Sequence, residues 1–140
     1  MRNTQFPTRG ERNNNPGNIV RGSAQWQGMS SKQTDPRFIQ FDTPVLGIRA
    51  LAKILLNYQV LHGLNTISSI IKRWAPSIEN DTAAYISSVA ETTGFDAGQL
   101  LDLHNPETLE SLTMAIIKHE NGRIVYNEST IHIGVTGALS

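Results

Sequence analysis

Apolar and polar residues alternate most regularly in the middle of the chain, where the pattern predicts a long helix. Asp42, Thr43 and Pro44 form a strong start for this helix, because a capping side chain precedes a proline suited to the first turn. Gly63 supplies a C-terminal cap. The apolar residues at helical spacing between these ends are Val45, Ile48, Leu51 or Ala52, Leu55, Tyr58 and Leu61 or His62. We expect this helix to be the central scaffold.

Capping residues and apolar spacing predict further helices along the rest of the chain. Thr66 begins one, Asn80 or Asp81 begins another, and Asn105 begins a third, since these residue types satisfy the free amides of a first turn. The last segment contains two glycines and should be a weak helix. The predicted segments are 67–75, 82–93, a short helical turn at 96–103, 105–122 and 129–139.

The N-terminal third of the chain has a different pattern. Residues 1–17 are rich in Asn, Arg, Thr, Pro and Gly, which break periodicity and predict an irregular loop, with residues 1–9 as a flexible arm. The short β-prone segments 19–21 and 37–41 predict a small ribbon. The sequence therefore predicts one domain, residues 1–140, of the mainly α (α+β) class with a small N-terminal β ribbon.

Composition excludes several classes of protein. The 140 residues carry twelve basic and twelve acidic side chains, so no net charge attracts the protein to nucleic acid. The absence of cysteine excludes a disulfide scaffold, a thiol nucleophile and a thiolate metal site. The four histidines lack HxxxH and HExxH spacing, so we expect no metal and no cofactor.

The N-terminal residues do not read as a signal peptide, because no apolar run follows Arg2. No stretch approaches the ~20 apolar residues of a membrane span. We therefore expect a protein that is made in the cytoplasm and does not insert into a membrane. Other components would carry it to any substrate outside the membrane. We also expect a monomer.

One carboxyl group occupies an unusual position. A stripe of Leu112, Ala115 or Ile116, and His119 predicts an apolar helix face, and Glu120 then lies in the last turn. The C-terminus of a helix carries partial negative charge, which makes ionising a carboxyl there costly. A carboxyl that keeps its proton suits a general acid. The alternative interpretation is an exposed Glu near a fraying helix end.

An asparagine-rich loop could share a cleft with this carboxyl. Asn13, Asn14 and Asn15 predict a tightly self-bonded turn, because Asn side chains bond their own backbone. Together with Asn18, their amides either hold the turn or bind a polar ligand. Trp26 either anchors the ribbon to the core or presents a flat face to a sugar ring.

Further candidate ligand-binding residues lie in the second half of the chain. Trp74 and Asn80 belong to a polar loop between two predicted helices. Tyr58, Tyr85 and Tyr126 could hydrogen-bond a substrate, or could be buried with satisfied hydroxyls.

Five motifs in order along the chain resemble a known phage family. Its members are often labelled structural or virion lytic proteins, after the muralytic enzyme of enveloped double-stranded RNA phages. The resemblance covers nearly the whole chain from Gly10 onward and implies a lysozyme-like fold, peptidoglycan glycan strands as partner, and degradation of peptidoglycan. The motifs are Arg12-Asn13-Asn14-Asn15-Pro16-Gly17-Asn18-Ile19, Trp26-x-Gly28, Gly47-Ile48-Arg49-Ala50, Arg73-Trp74-Ala75-Pro76 with Glu79-Asn80, and His119-Glu120-Asn121-Gly122.

The end of the 105–122 helix is also similar to that of lytic transglycosylases and lysozyme-like enzymes, in which a catalytic Glu closes an apolar helix. This similarity implies that Glu120 is the general acid and base. In bacterial glucosaminidases an Asn-Asn loop and a Trp-x-Gly pair follow the catalytic helix, whereas here they precede it. We therefore expect a circularly permuted lysozyme arrangement, in which the N-terminal loop packs beside Glu120.

The implied chemistry needs one carboxyl and tolerates a second. Glycosidic cleavage requires a proton on the leaving oxygen while positive charge grows at the anomeric carbon. If a second carboxylate takes part, Glu79 and Glu11 are the candidates. Alternatively, Glu79 pairs with Arg73 or helps to cap the next helix, and Glu11 forms a surface ion pair of little energetic value.

The sequence leaves the reaction and its setting open. The enzyme could be a lytic transglycosylase, a muramidase or a glucosaminidase, acting on the cell wall in the periplasm after release as an endolysin or delivery in a virion. Two other functions remain: a non-catalytic peptidoglycan-binding or structural virion protein, and a peptidoglycan endopeptidase. The lack of cysteine and of clustered histidines argues against the endopeptidase.

Overall fold

The computed structural model describes residues 6–78 and 80–140, and its architecture is mainly helical. The predicted mainly α class is therefore confirmed. The helices of the described residues are α1 (Arg9–Arg12), α2 (Pro44–His62), α3 (Ile67–Trp74), α4 (Thr82–Thr93), α5 (Pro106–Asn121) and α6 (Glu128–Leu139). None of these helices combines the length and the apolar character needed to cross a membrane.

The predicted ends of the helices are confirmed because the capping residues do what their chemistry suggests. The side chains of Thr66, Asp81 and Asn105 accept hydrogen bonds from first-turn amides of α3, α4 and α5. Gly94 and Gly122 close α4 and α5 with φ of 78° and 79°, in the left-handed region that glycine adopts without strain.

Helix α2 is the central scaffold, as its length and apolar stripe predicted. Thr43 caps it and Pro44 occupies its first turn. Ile48, Leu51 and Leu55 are fully buried along its inner face, where α5 and α6 pack. The core therefore lies around α2, and the N-terminal segment 13–42 covers one side of it through contacts such as that of Gly17 with Leu51.

Helix α6 packs closely against α2, although its glycines predicted a weak helix. A Cβ at Gly134 would lie 2.7 Å from Cγ2 of Ile48. The glycine that lowers the intrinsic helix propensity thus permits the close approach of the two helices, and burial of Ile131 and Val135 stabilises α6 in place.

The predicted β ribbon is reduced to two isolated antiparallel bridges in the described residues, Val20 with Phe38 and Met29 with Phe41. Side-chain amides replace ladder hydrogen bonds nearby. The side-chain nitrogen of Gln33 donates to the carbonyls of Ser30 and Gln40. Its side-chain oxygen accepts from the backbone amide of Gln40 at 2.8 Å. The backbone is satisfied without extended strands, which the β-prone residues alone did not indicate.

Two other segments differ from the sequence-based prediction. The irregular N-terminal loop contains the short helix α1, because Thr8 and Glu11 form a reciprocal capping box. The predicted flexible arm, residues 1–9, overlaps this capped turn at Thr8 and Arg9, and its residues 1–5 lie outside the described residues. At 96–103 the chain forms turns instead of a helix, because the Leu101 amide donates to the Asn65 carbonyl at 2.8 Å.

The N-terminal loop can lie on α2 because residue 47 has no side chain. A Cβ at Gly47 would clash with the carbonyl oxygen of Asn14 and would lie 3.3 Å from Cδ of Pro16. Gly47 is inside a helix, where glycine is about 1 kcal/mol less favourable than alanine. Glycine at position 47 therefore allows the loop to approach α2 closely.

We predict that Gly47→Ala lowers the free energy of unfolding, although alanine is the better helix former. The clash is with backbone, so its cost of about 3 kcal/mol should exceed the gain in propensity and leave a net loss of about 2 kcal/mol. Urea denaturation would measure the loss. Gly98→Ala is the control, because no atom lies within 4 Å of the added Cβ. Equal stability of the two variants would contradict the account.

Candidate active site

Glu120 lines a cleft with a volume of about 510 Å³. The N-terminal segment forms one wall, α2 forms the floor, and the end of α3 with its following loop forms the other wall. A groove beside Glu120, as expected from the sequence, is present, and Asn18 is the asparagine of the N-terminal loop that lines it. Its lining residues are Gly17, Asn18, Ile19, Val20, Arg37, Phe38, Ile54, Tyr58, Trp74, Ala75, Pro76, Asn80 and Glu120.

The carboxyl group of Glu120 is held from two sides by residues distant in sequence. The Asn18 amide nitrogen donates to Oε1 at 2.9 Å, and the Tyr85 hydroxyl donates to Oε2 at 2.6 Å. Both distances are typical of hydrogen bonds to a carboxylate. Glu120 is partly buried, so it is not the exposed Glu of a fraying helix end.

The direction of the Tyr85 hydrogen bond is set by Trp74. The indole Nε1 of Trp74 can only donate, and it lies 3.0 Å from the Tyr85 oxygen. The Tyr85 oxygen therefore accepts from Trp74, and its own proton points to Glu120. Tyr85 is 2% exposed, and its ring lies on that of His119 with centroids 3.8 Å apart, so the hydroxyl is firmly placed.

The first three asparagines of the N-terminal loop hold the loop itself. Asn15 is fully buried, and its amide nitrogen donates to the carbonyls of Ile19 and Ile39. The Asn14 amide donates to the Phe41 carbonyl at 3.0 Å. Asn14 also adopts a φ of 53°, a left-handed conformation that asparagine tolerates. Asn14 and Asn15 therefore have the structural role that the sequence left open, and neither lines the cleft.

Asn13 is also structural, as part of a polar cluster that does not line the cleft. Its amide nitrogen donates to Asp35, which accepts two further bonds from the Arg9 guanidinium at 2.7 and 2.8 Å. The hydrogen bonds from Arg9, together with backbone amides, hold the pKa of Asp35 well below its usual range. Of the four asparagines in the N-terminal loop that were proposed to bind substrate, Asn18 lines the cleft.

Asn121 joins the N-terminal loop to the helix that carries Glu120. Its side chain is 1% exposed, and its amide nitrogen donates to the carbonyls of Pro16 and Ile117 at 2.8 and 2.9 Å. Its oxygen accepts from the Thr8 hydroxyl at 2.6 Å. This residue fixes the position of Asn18 relative to Glu120, a role that its place in the motif His119-Glu120-Asn121-Gly122 did not indicate.

Tyr58, Trp74 and Asn80 line the cleft, as expected for ligand-binding residues. The Arg73 guanidinium lies over the Tyr58 ring at 5.4 Å, and burial raises the pKa of the Tyr58 hydroxyl. Asn80 is exposed, and its amide nitrogen donates to the Pro76 carbonyl at 3.1 Å. The cleft therefore combines three aromatic side chains, Phe38, Tyr58 and Trp74, with an amide at its rim.

Three other candidates lie away from the cleft. Glu11 closes the capping box of α1 and pairs with Arg123 at 2.8 Å, so it forms an ion pair as its alternative predicted, although its side chain is only 14% exposed. Trp26 packs against the core without lining the cleft. The Tyr126 hydroxyl is buried, and this burial raises its pKa to about 12. The remaining candidate, Glu79, lies outside the described residues.

The residue most clearly missed by the sequence analysis is Tyr85 as a partner of Glu120. The sequence named Tyr85 as either a substrate-binding or a core residue. Nothing in its local spacing indicated that α4 would bring its hydroxyl to the end of α5. Among the residues that the structure describes, no three His, Asp or Glu side chains converge as ligands for a metal.

Fold and site together define a mainly helical protein in which an amide and a phenol hold one carboxyl at the edge of a cleft. No protein-family model matches the chain. Over 138 residues, which span 92% of the chain and 84% of the relative, it is 48% identical to Protein P5 of Pseudoalteromonas phage PM2. The chain belongs to the family of this phage protein.

This relationship corrects the family suggested by the sequence motifs. Protein P5 comes from a different phage family, so the assignment to the muralytic enzymes of enveloped double-stranded RNA phages is wrong. Several of the motif residues, including Asn15 and Gly47, maintain the loop and its packing on α2. Short motifs with such structural roles do not by themselves define a family.

We predict that Asn121→Ala separates the N-terminal loop from α5. The change removes three hydrogen bonds and leaves the Pro16 carbonyl without its donor, so the free energy of unfolding should fall by about 3 kcal/mol. Asn57→Ala on α2 is the control, with an expected change within about 0.5 kcal/mol. Chemical denaturation would measure both free energies of unfolding. If Asn121→Ala loses no more stability than Asn57→Ala, Asn121 does not hold the loop to α5.

Proposed function

We propose that the protein cleaves the glycan strand of peptidoglycan, with Glu120 as general acid and then general base. The observation that carries the proposal is the placement of this carboxyl. It lies in a cleft, accepts hydrogen bonds from Asn18 and Tyr85, and is the acidic side chain among the described residues that line it. A positioned carboxyl beside a substrate-sized cleft is what acid–base catalysis requires.

The lining of the cleft supports a carbohydrate ligand. Its volume falls within the range of about 300–1,000 Å³ that is typical of ligand sites. Trp74 and Tyr58 offer aromatic surface, which can pack on the apolar face of a sugar ring, and Asn80 offers an amide for its hydroxyls. These residues serve a binding role and leave the proton transfers to Glu120.

A single carboxyl suffices for the reaction that we propose. Protonated Glu120 donates to the glycosidic oxygen as the bond to the anomeric carbon breaks, and the N-acetyl oxygen of the sugar stabilises the resulting cation. The Glu120 carboxylate then takes the proton of the sugar's own primary hydroxyl, which closes on the anomeric carbon. The product is an anhydro sugar, and no water is consumed. If water attacks instead, the enzyme is a muramidase or glucosaminidase.

We also propose that the domain is a circularly permuted form of the lysozyme arrangement. The bonds of Asn18 to Glu120 and of Asn121 to Pro16 support this idea, because they bring the N-terminal loop beside the C-terminal acid. On this proposal the protein is a monomer made in the host cytoplasm. It reaches the cell wall after release or in a virion.

We predict that purified protein clears a zymogram of murein and that Glu120→Gln does not. The amide is close in shape to the acid but cannot donate and recover a proton, so activity should fall by at least about a thousandfold. Glu107→Gln is the matched control, because Glu107 lies in the first turn of the same helix and outside the cleft. This variant should clear as the wild type does.

The same zymogram separates the enzyme from a binding or structural virion protein. A protein that only binds peptidoglycan would give no clearing in the wild type, in Glu120→Gln or in Glu107→Gln. Sedimentation with murein would then still show binding. Clearing by Glu120→Gln at the wild-type level would remove Glu120 from the mechanism.

We predict that Tyr85→Phe lowers kcat by on the order of tenfold to a hundredfold and changes KM little. The variant loses the donor to Glu120 Oε2, and a hydrogen bond to a charged group contributes about 1.5–3 kcal/mol. Tyr126→Phe is the control, because the Tyr126 hydroxyl has no partner among the described residues and does not line the cleft. A similar loss of kcat in both variants would argue against a specific role for Tyr85.

A further inference from the structure

We propose that Asn18 is a positioning residue whose side-chain amide rotates by half a turn when Glu120 gains or loses its proton. With the carboxylate, the amide nitrogen donates to Oε1. With the carboxylic acid and no substrate bound, the amide oxygen accepts the proton carried by Oε1. The catalytic meaning of this exchange rests on the proposed acid–base role of Glu120, whereas the exchange itself depends only on contacts within the protein.

The first argument is the unequal satisfaction of the two ends of the amide. The nitrogen of Asn18 donates to Glu120 at 2.9 Å, but the oxygen of the same amide is buried without a hydrogen-bond partner among the described residues. A buried acceptor without a donor is costly, by about 1–3 kcal/mol. The arrangement with the carboxylate therefore satisfies Glu120 at the expense of Asn18.

The second argument is the surroundings of that unpartnered oxygen. Three oxygen atoms lie within 3.0 Å of the point where a Cβ of Gly10 would be: Oδ1 of Asn18, the Asn15 carbonyl and Oδ1 of Asn121. A region rich in acceptors favours an N–H group over another oxygen. Rotation by half a turn about the last side-chain bond would place the Asn18 nitrogen there and its oxygen against Glu120.

The third argument is that Oε1 is the carboxyl oxygen that faces the Asn18 amide. Trp74 donates to the Tyr85 oxygen, and the Tyr85 hydroxyl donates to Oε2. A proton that the acid carries on Oε1 would therefore meet Asn18. An amide offers both a donor and an acceptor at nearly the same position, so Asn18 can satisfy Oε1 in both states, whereas a fixed donor cannot.

Other titratable groups near Glu120 must be separated from this effect. His119 precedes it on α5 and stacks on Tyr85 of α4, while Arg37 lines the same cleft from the N-terminal segment. Ionisation of His119 could also alter the signals of nearby residues. The experiment therefore needs a variant in which Glu120 cannot titrate and the other groups remain.

The test is nuclear magnetic resonance of the full chain with isotope-labelled asparagine side chains. We expect a cross-relaxation peak between the Asn18 amide protons and the α protons of Gly10 on the acidic side of the Glu120 carboxyl titration. The peak should vanish on the alkaline side, where these protons point to Glu120. Asn15 is an internal control, because its amide bonds Ile19 and Ile39 and should not change.

The same measurement on Glu120→Gln decides which group causes the change. If the peak no longer changes with pH in this variant, the result supports the proposal. A peak that stays constant with pH in the wild type, or one that still switches in Glu120→Gln, overturns it. Since no activity is measured, a protein that clears murein but shows no exchange would refute only this inference, and the reverse result would refute only the proposed function.

Discussion

The attachment of the N-terminal loop to the last turn of α5 is the interaction on which the site depends. Asn121 holds the loop by its backbone, through the Pro16 carbonyl, and Asn18 then reaches Glu120. The Asn121 side chain is buried, so its hydrogen bonds do not compete with water. Leaving any of them unmade would carry a large free-energy cost. A contact between residues more than 100 positions apart in sequence thus positions the carboxyl that we propose as catalytic.

Close packing of small residues makes this attachment possible. Gly47 allows the loop to lie on α2, and Gly10 leaves room for the oxygen atoms of Asn15, Asn18 and Asn121. The opposite wall of the cleft has its own rigid element, the hydrogen-bond chain from Trp74 through Tyr85 to Glu120. Glu120 is therefore oriented by two separate parts of the fold, which is the pre-organisation that acid–base chemistry needs.

The helical fold was largely predictable, because helix ends are local. Thr43, Thr66, Asn105 and Gly122 act within one turn of their own position, so their residue types were sufficient evidence. The site was less predictable. Glu120 stood out as an acid at a helix end, but its partners Asn18 and Tyr85 come from distant segments, and local spacing carries no information on such contacts. The β ribbon was predicted wrongly for a related reason, since the side chains of Gln33 and Gln40 hydrogen-bond backbone groups in place of a strand ladder.

The central claim is that Glu120 transfers protons to and from a glycan strand. Mass spectrometry of the soluble products from purified murein, digested with the wild type and with Glu120→Gln, tests it most directly. The account predicts muropeptides with anhydro-muramyl ends from the wild type and none from the variant. Reducing ends would keep Glu120 as the acid but replace internal closure by attack of water. Freed peptides with intact glycan strands would contradict the account.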